Sequence, residues 1–182
     1  MVPRDLILEN EKVLLRPMTR QDFPLLQEIT LPASLWTYFT HDLSIPEDFE
    51  AWAKPHFAEE RLQFVVFDKE KNQVAGATAF GNFSPRDSRL EIGWTWLGKS
   101  FHGSGINREM KGLMLDYCFD TLDLERVEIK TDVLNQSARK ALIKLGAKEE
   151  GILRSHTQMI LGRRRDTIYY SFLKGEWPRE NR

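Results

Sequence analysis

Hydrophobic residues recur at every second position over residues 90–97, which predicts a strand with one apolar face. The alternation assigns four large apolar side chains to that face: Leu90, Ile92, Trp94 and Trp96. Glu91 is accordingly predicted on the face opposite the two tryptophans. After this strand the spacing changes to steps of three and four, at Ile106, Met110, Leu113, Met114 and Tyr117. That spacing predicts a helix that packs one apolar stripe against a sheet.

The rest of the chain repeats these two patterns. Short apolar runs predict further strands over residues 13–16, 64–67, 74–80, 127–129, 152–159 and 167–173. Helical spacing with capping residues predicts helices over residues 20–30, 46–61 and 135–145. The resulting order, β-α-α-β-β-β-α-β-α-β-β, predicts a mixed α/β sheet with helices on both faces. At 182 residues the chain is expected to form one domain over residues 1–182.

Composition narrows the range of partners. The chain carries 26 Lys and Arg against 27 Asp and Glu, and a net charge of −1 indicates neither a nucleic-acid partner nor a membrane surface. No apolar run has the length of a membrane helix, and no signal peptide is evident. The single cysteine, Cys118, excludes an internal disulfide, and the four histidines do not cluster, so no metal is expected. These features predict a cytoplasmic protein.

The turn after the alternating strand is the strongest candidate for a ligand site. Gly103 and Gly105 let the main chain approach a ligand closely, and the helix N-terminus that follows favours negative charge, which suits a pyrophosphate. A nucleotide-binding P-loop would need Lys and then Ser or Thr after Gly105, where the chain has Ile106 and Asn107. A dinucleotide-binding turn would need a third glycine at Arg108. The third possibility is coenzyme A.

The spacing His102-x-x-Gly105-x-Asn107 resembles the Arg/Gln-x-x-Gly-x-Gly/Ala loop of the GNAT acetyltransferases. Further segments are similar to the same superfamily: Glu91-Ile92-Gly93-Trp94 before the loop, and residues 126–132, 135, 144–147, 150–154 and 165–167 after it. The combination looks like the branch that includes the ribosomal-protein N-terminal acetyltransferases. The resemblance implies a mostly antiparallel, twisted sheet with a splayed central pair of strands.

The resemblance also implies where acetyl-CoA binds. The implied contacts are Trp96, Leu97, His102, Gly103, Ser104, Gly105, Ile106, Asn107 and Asn135. Main-chain N–H groups of the loop would hold the pyrophosphate. Trp96 and Leu97 would pair with the pantetheine arm through their main chain, and the side chain of Asn135 would meet its amides.

The implied reaction is direct transfer, which needs a base for the proton of the amine, an oxyanion donor and a positioned thioester. Glu91 corresponds to a glutamate of the histone-modifying members and is the predicted base, acting through a water molecule. A backbone N–H near residues 94–96 is the expected oxyanion donor. The acid that protonates the departing thiolate is open. The family's tyrosine position is Leu142 here and its serine position is Ala138, so the neighbouring Ser137 is the candidate.

The predicted function is transfer of an acetyl group from acetyl-CoA to a primary amine, on a protein N-terminus or a small molecule, in a ternary complex. The alternatives are a non-catalytic acyl-CoA-binding module and a transferase for a longer acyl-CoA. The acceptor is expected against residues 31–45 and 160–165, with an aromatic wall of Trp36, Tyr38 and Phe39. Pairing of sheet edges or helix surfaces would make a homodimer possible.

Overall fold

One eight-stranded sheet runs through the computed structural model, which describes residues 2–178. Its strands are β1 (Leu8–Glu9), β2 (Val13–Pro17), β3 (Leu62–Asp68), β4 (Gln73–Ser84), β5 (Arg89–Leu97), β6 (Arg126–Asp132), β7 (Lys148–Gln158) and β8 (Arg164–Leu173). Their order across the sheet is β1-β2-β3-β4-β5-β6-β8-β7. Neighbouring strands are antiparallel except β5 and β6, which are parallel.

Four α-helices cover the sheet: α1 (Phe23–Gln27), α2 (Pro46–Phe57), α3 (Ile106–Asp116) and α4 (Gln136–Leu145). Alternating residues of β3 divide between two apolar cores, since Phe64 and Val66 join one and Val65 joins the other. The smaller core contains α1, α2 and a cluster of buried tryptophans. The larger core contains α3 and the buried Leu142 of α4. The predicted mixed α/β fold with helices on both faces is confirmed.

The parallel strands β5 and β6 diverge after a short paired segment. Their register contains three pairs, the last of which joins Glu91 to Glu128. Beyond Glu91, β5 runs on to Leu97 in register with β4 and out of register with the described residues of β6. The edge of β5 that faces β6 is therefore open, as the expected splayed pair requires. This opening is called the interstrand gap below.

A β-bulge at Trp94 overturns the predicted faces of β5. Trp94 has a left-handed backbone with a φ of 51°, and the register against β4 shifts on either side of it. A bulge adds one residue to a strand and so reverses the alternation beyond it. Leu90 and Ile92 therefore pack in the larger core, whereas Trp96 packs in the smaller core with α1 and α2.

Glu91 consequently lies on the same face as the tryptophans, contrary to the prediction. Glu91 pairs directly with Gly81 of β4, and directly opposed residues point to the same face of a sheet. A Cβ atom on Gly81 would lie 2.5 Å from the Trp94 ring, so this ring covers Gly81 on the face that carries Glu91. The hydropathy pattern missed the reversal because a bulge leaves no trace in it.

Several element boundaries also differ from the prediction. A single 3-10 turn at Arg20–Asp22 precedes α1, which ends at Gln27 rather than at residue 30. Helix α2 ends at Phe57 rather than at residue 61, because Glu59 adopts a left-handed φ of 59°. Strand β7 begins at Lys148, earlier than predicted. Strand β1 was missed because two residues are too few for an alternating pattern.

Candidate active site

The loop between β5 and α3 presents unpaired main-chain N–H groups at the start of a helix. Gly103 and Gly105 have φ angles of 77° and 91°, which side chains rarely adopt. Within residues 2–178, the amides of Gly103, Gly105 and Asn107 have no hydrogen-bond acceptor. A Cβ atom on either glycine would meet nothing within 4 Å, so the amides face open space. They stand at the positive end of the α3 dipole, an arrangement that binds phosphate groups.

Two other predicted contacts brace this loop from within. A ring nitrogen of His102, Nε2, donates to the carbonyl oxygen of Leu97 at 3.0 Å. The Ser104 hydroxyl donates to the carbonyl oxygen of Phe101 at 2.7 Å and accepts from the amide of Ile106 at 3.4 Å. These groups already have partners, so the free amides of Gly103, Gly105 and Asn107 are the donors that the start of α3 can offer a phosphate.

Trp96 and Asn135 stand on opposite sides of the interstrand gap, on β5 and at the start of α4. The Trp96 side chain is 7% exposed, packs edge-on against Trp36 and Trp52, and has no hydrogen-bond partner for its Nε1 within the described chain. The side-chain oxygen of Asn135 caps α4 by accepting from the amide of Ala138 at 3.1 Å. Its Nδ2 makes no hydrogen bond within residues 2–178 and is available as a donor.

Glu91 lies where the interstrand gap opens. Its side chain is 3% exposed, and its Oε2 accepts hydrogen bonds from Asn82 Nδ2 at 2.7 Å and from Lys130 Nζ at 2.8 Å. Both bonds go to the same oxygen, so Oε1 has no donor among the described residues. A carboxylate held in this way keeps one oxygen for a proton. Sequence reasoning missed Lys130, because a lysine that alternates with apolar residues on a strand is typical of a solvent-facing position.

A polar groove of about 600 Å³ opens onto Glu91. Its walls come from the ends of β4 and β5 and from β6 and β8: Asn82, Phe83, Ser84, Arg89, Glu91, Glu128, Lys130 and Tyr169. Arg89 pairs with Glu128 at 3.3 Å, and Lys130 lies 5.7 Å from the centre of the Tyr169 ring. The groove lies away from the expected aromatic wall, of which Trp36 is fully buried in the smaller core.

The candidate acid Ser137 and two further groups with titratable or hydroxyl chemistry, Tyr170 and Cys118, do not line this groove. Ser137 lies in the first turn of α4, where it is exposed and makes no hydrogen bond within residues 2–178. Tyr170 is fully buried, and its hydroxyl accepts from Arg139 Nε at 3.2 Å. Burial raises the pKa of the Cys118 thiol well above its usual value, which marks an inert core cysteine. Ser137 stays a prediction.

Lys111 is a buried cation that sequence reasoning did not select. It lies on α3 with 3% exposure, and its Nζ donates to Thr95 Oγ1 on β5 at 2.7 Å. Thr95 Oγ1 is also 2.8 Å from Thr78 Oγ1. Burial lowers the pKa of the Lys111 ammonium to about 7, although the negative charge of Glu91 acts in the opposite direction.

The free loop amides and the open glycines are suited to phosphate groups, and the interstrand gap leaves the edge of β5 free to pair with an extended ligand. No group of three His, Cys, Asp or Glu residues within the described chain is arranged to hold a metal ion. Among the helices of residues 2–178, none is long and apolar enough to cross a membrane.

Fold and site together define a transferase of the acyl-CoA-using class, and comparison with known proteins names the family. Residues 12–148 match the acetyltransferase (GNAT) domain. The chain is 26% identical over 181 residues, or 94% of its length and 96% of the relative's, to the "Putative ribosomal N-acetyltransferase YdaF" of Bacillus subtilis (strain 168). It is 33% identical over 115 residues to the "Uncharacterized N-acetyltransferase p20" of Bacillus licheniformis, covering 63% of this chain and 64% of that protein.

A solved structure shows the same fold. The crystal structure of a GCN5-related N-acetyltransferase from Brucella melitensis superposes with a TM-score of 0.88 and 29% identity, over 97% of this chain and 82% of that one. The chain belongs to the GNAT acetyltransferase family. It is therefore an acetyltransferase, and its family uses acetyl-CoA as cosubstrate.

Proposed function

We propose that the chain, as one domain over residues 1–182, transfers the acetyl group of acetyl-CoA directly to a primary amine in a ternary complex. The acceptor is a protein N-terminus or a small amine. The observation that carries the proposal is the set of free amides of Gly103, Gly105 and Asn107 at one end of the interstrand gap, with the carboxylate of Glu91 at the other. Phosphate-binding groups and a base thus lie at the two ends of one open strand edge.

The cosubstrate site in this proposal is mainly main chain. The three amides hold the pyrophosphate, and the open edge of β5 near Trp96 pairs with the pantetheine arm. The free Nδ2 of Asn135 donates to an amide carbonyl of that arm from the α4 side. Acetyl-CoA supplies the acetyl group as a reactive thioester, and an N–H near the bulge at Trp94 stabilises the developing oxyanion.

The acceptor amine approaches through the polar groove. Glu91 accepts the ammonium proton at its Oε1, directly or through one water, while Lys130 and Asn82 fix its Oε2. Arg89 and Glu128 line the groove and already neutralise each other, so they can orient a polar acceptor without forming a strong ion pair with it. A carboxylate with one oxygen free beside a polar groove suits a base that must meet an amine from solvent.

A peptide N-terminus is the first acceptor class to examine. The relative YdaF, which aligns over nearly the full length of both chains, carries a name that describes a ribosomal N-acetyltransferase. A groove of about 600 Å³ has room for the first residues of a peptide. The lining is polar, so small polar side chains next to the terminal amine are favoured.

The test is acetyl-CoA turnover with peptides of varied N-terminal residues and with a panel of small amines. Thiol release reports the rate, and mass spectrometry locates the added acetyl group. Acetylation of a primary amine that is lost in Glu91→Gln supports the proposal. Tight coenzyme A binding without acetylation of any acceptor would favour the acyl-CoA-binding module instead. A parallel series of longer acyl-CoA donors shows whether acetyl is the preferred group.

A further inference from the structure

We propose that Lys111 is the general acid of the transfer and gives a proton to the sulfur of coenzyme A as it leaves. This inference rests on the proposed function, because it needs a thioester in the interstrand gap. It assigns a role to a buried cation that forms no ion pair within residues 2–178, and it gives Lys111 the role that the sequence analysis predicted for Ser137.

The first argument is the isolation of the Lys111 side chain. An ammonium group carries three N–H donors, and within residues 2–178 only one acceptor, Thr95 Oγ1, is within hydrogen-bond distance of Nζ. No carboxylate of the described chain forms an ion pair with it. A buried charge without an ion pair is costly, so its retention calls for a further partner that arrives with a ligand.

The second argument is position along β5. Glu91 marks the start of the interstrand gap, and the phosphate-binding loop follows Leu97. A ligand that extends along β5 from the loop amides toward Glu91 passes Thr95, and Lys111 donates a hydrogen bond to Thr95. The sulfur lies on the loop side of the acetyl carbon, and therefore on the side of Thr95. The bulge at Trp94 places the side chains of Glu91 and Thr95 on opposite faces of β5. Lys111, which donates to Thr95, therefore lies on the face opposite Glu91.

The chemistry balances with these two groups. Glu91 first passes the ammonium proton of the acceptor to solvent through the groove. The neutral acceptor nitrogen then forms a bond to the acetyl carbon, and the carbon–sulfur bond breaks with its electron pair on sulfur. The sulfur takes a proton from Lys111 Nζ, which becomes a neutral amine, and Glu91 takes the proton of the acceptor nitrogen. Solvent returns a proton to Lys111 after coenzyme A leaves, and removes one from Glu91.

Acid strength supports the assignment. A thiol has a pKa of about 8.5 and an ordinary lysine one of about 10.4, so an ordinary lysine would not give its proton to a thiolate. The lowered pKa of Lys111, about 7, makes its ammonium the stronger acid of the two. Nζ of Lys111 contacts the hydroxyl of Thr95 on β5, which in turn contacts the hydroxyl of Thr78 on β4. Thr78 also contacts the sulfur of Met114 on α3, and the charge of Glu91 acts on Lys111 from a greater distance.

The test follows the Lys111 side chain by NMR in protein labelled with ¹³C at the lysine ε carbons. Lys111→Met removes one signal and so identifies it. The chemical shift of that signal at pH 6 is compared in complexes with coenzyme A and with desulfo-coenzyme A, which lacks the sulfur. We expect the Lys111 signal to differ between the two complexes while the other lysine signals keep their positions, because only coenzyme A places a sulfur atom beside Nζ. An identical Lys111 signal in the two complexes would overturn the proposal.

Kinetics provide the second readout. Lys111→Met should lower kcat about 10²- to 10⁴-fold, with the KM for acetyl-CoA near that of the wild type, and should abolish the fall in kcat at high pH that loss of the ammonium proton causes. Methionine keeps the length of the side chain in a buried site, so the variant should fold. Lys140→Met, at an exposed position on α4, is the matched control and should leave the rate unchanged. If Lys111→Met bound coenzyme A and transferred acetyl groups at the wild-type rate, the role of Lys111 would be refuted while the proposed function would stand.

Discussion

Two titratable side chains, Glu91 of β5 and Lys111 of α3, lie on opposite faces of β5, and their environments differ sharply. Glu91 has an ion-pair partner, Lys130, and an opening to the groove. Lys111 has a single hydroxyl partner and lies beneath the sheet. The first environment leaves one carboxylate oxygen open to the groove, and the second weakens the hold of the lysine on its proton, because burial disfavours the charged form. These contrasting environments are the reason that we propose Glu91 as the base and Lys111 as the acid of the transfer.

Glu91→Gln should lower kcat about 10²- to 10⁴-fold while leaving acetyl-CoA affinity nearly unchanged. The amide keeps the shape of the side chain but cannot accept the proton. The loss should shrink as the pH rises, because more of the acceptor amine is then neutral before it binds. Rates from pH 6 to 10 measure this. Glu128→Gln, a carboxylate of the same groove bound by Arg89 and Arg126, is the control and should cost far less. Equal rates for wild type and Glu91→Gln across this range would remove Glu91 from the mechanism.

Lys111→Met should be more stable than the wild type at pH 6, and the difference should shrink as the pH rises toward 10. Burial lowers the pKa of folded Lys111 to about 7, below the value of about 10.4 in the unfolded chain. The unfolded state therefore binds more protons between these values, and wild-type stability rises with pH by up to about 1.4 kcal/mol per unit. Denaturant unfolding of both proteins at several pH values is the measurement. A constant difference across the range would contradict a buried, titrating Lys111.

At the scale of the element, the sequence predicted the strand–loop–helix unit but not its internal geometry. Glycine spacing and the apolar stripe of α3 identified the loop, because both depend on local residue types. The bulge at Trp94 depends on pairing with β4, which hydropathy does not encode. Lys111 was missed for a similar reason. A lysine in a helix is typical of a solvated face, and its burial follows from the way α3 crosses the sheet.

The same limit applies to the groove. Asn82, Lys130 and Tyr169 come from three strands that are far apart in the sequence and meet only through the strand order of the sheet. Glu91 became a candidate because it stands in a recognisable segment next to the loop, whereas the partners that hold its Oε2 have no such segment. Sequence reasoning therefore proposes candidates where a motif is continuous, and not where tertiary pairing assembles the residues.

Gly105→Val tests the proposed phosphate-binding loop, and Gly146→Val is its matched control. Both glycines have left-handed backbones, with φ angles of 91° and 102°, and a Cβ on either would meet nothing within 4 Å. Each substitution should cost a similar conformational strain, about 1–2 kcal/mol of unfolding free energy. Only Gly105→Val places a side chain in the phosphate site, so it alone should weaken coenzyme A binding by more than about tenfold. Calorimetry on both variants decides, and equal affinities would refute the loop assignment.

At the scale of the whole molecule, the interstrand gap divides the sheet into two groups of strands. Strands β1 to β5 lie on one side of it, and β6, β8 and β7 lie on the other. Only three residue pairs join β5 to β6, so the two parts of the sheet are connected there by a short ladder together with α3 and its core. A ligand arm that pairs with the open edge of β5 adds contacts beside a junction of only three residue pairs. Coenzyme A should therefore stabilise the fold as well as occupy the site.

Thermal unfolding should consequently distinguish coenzyme A from other nucleotides. At a ligand concentration of 100 times Kd, binding to the folded state adds about 2.7 kcal/mol, which raises Tm by about 5–10 °C for a chain of this size. ATP and NAD also carry a pyrophosphate for the loop amides but have no pantetheine arm for the gap, so at equal concentration each should raise Tm by much less. Gly105→Val should lose the coenzyme A shift, whereas Gly146→Val should keep it despite its lower starting Tm. If ATP or NAD raised Tm as much as coenzyme A does, the gap would contribute nothing to recognition, and the loop amides alone would account for binding.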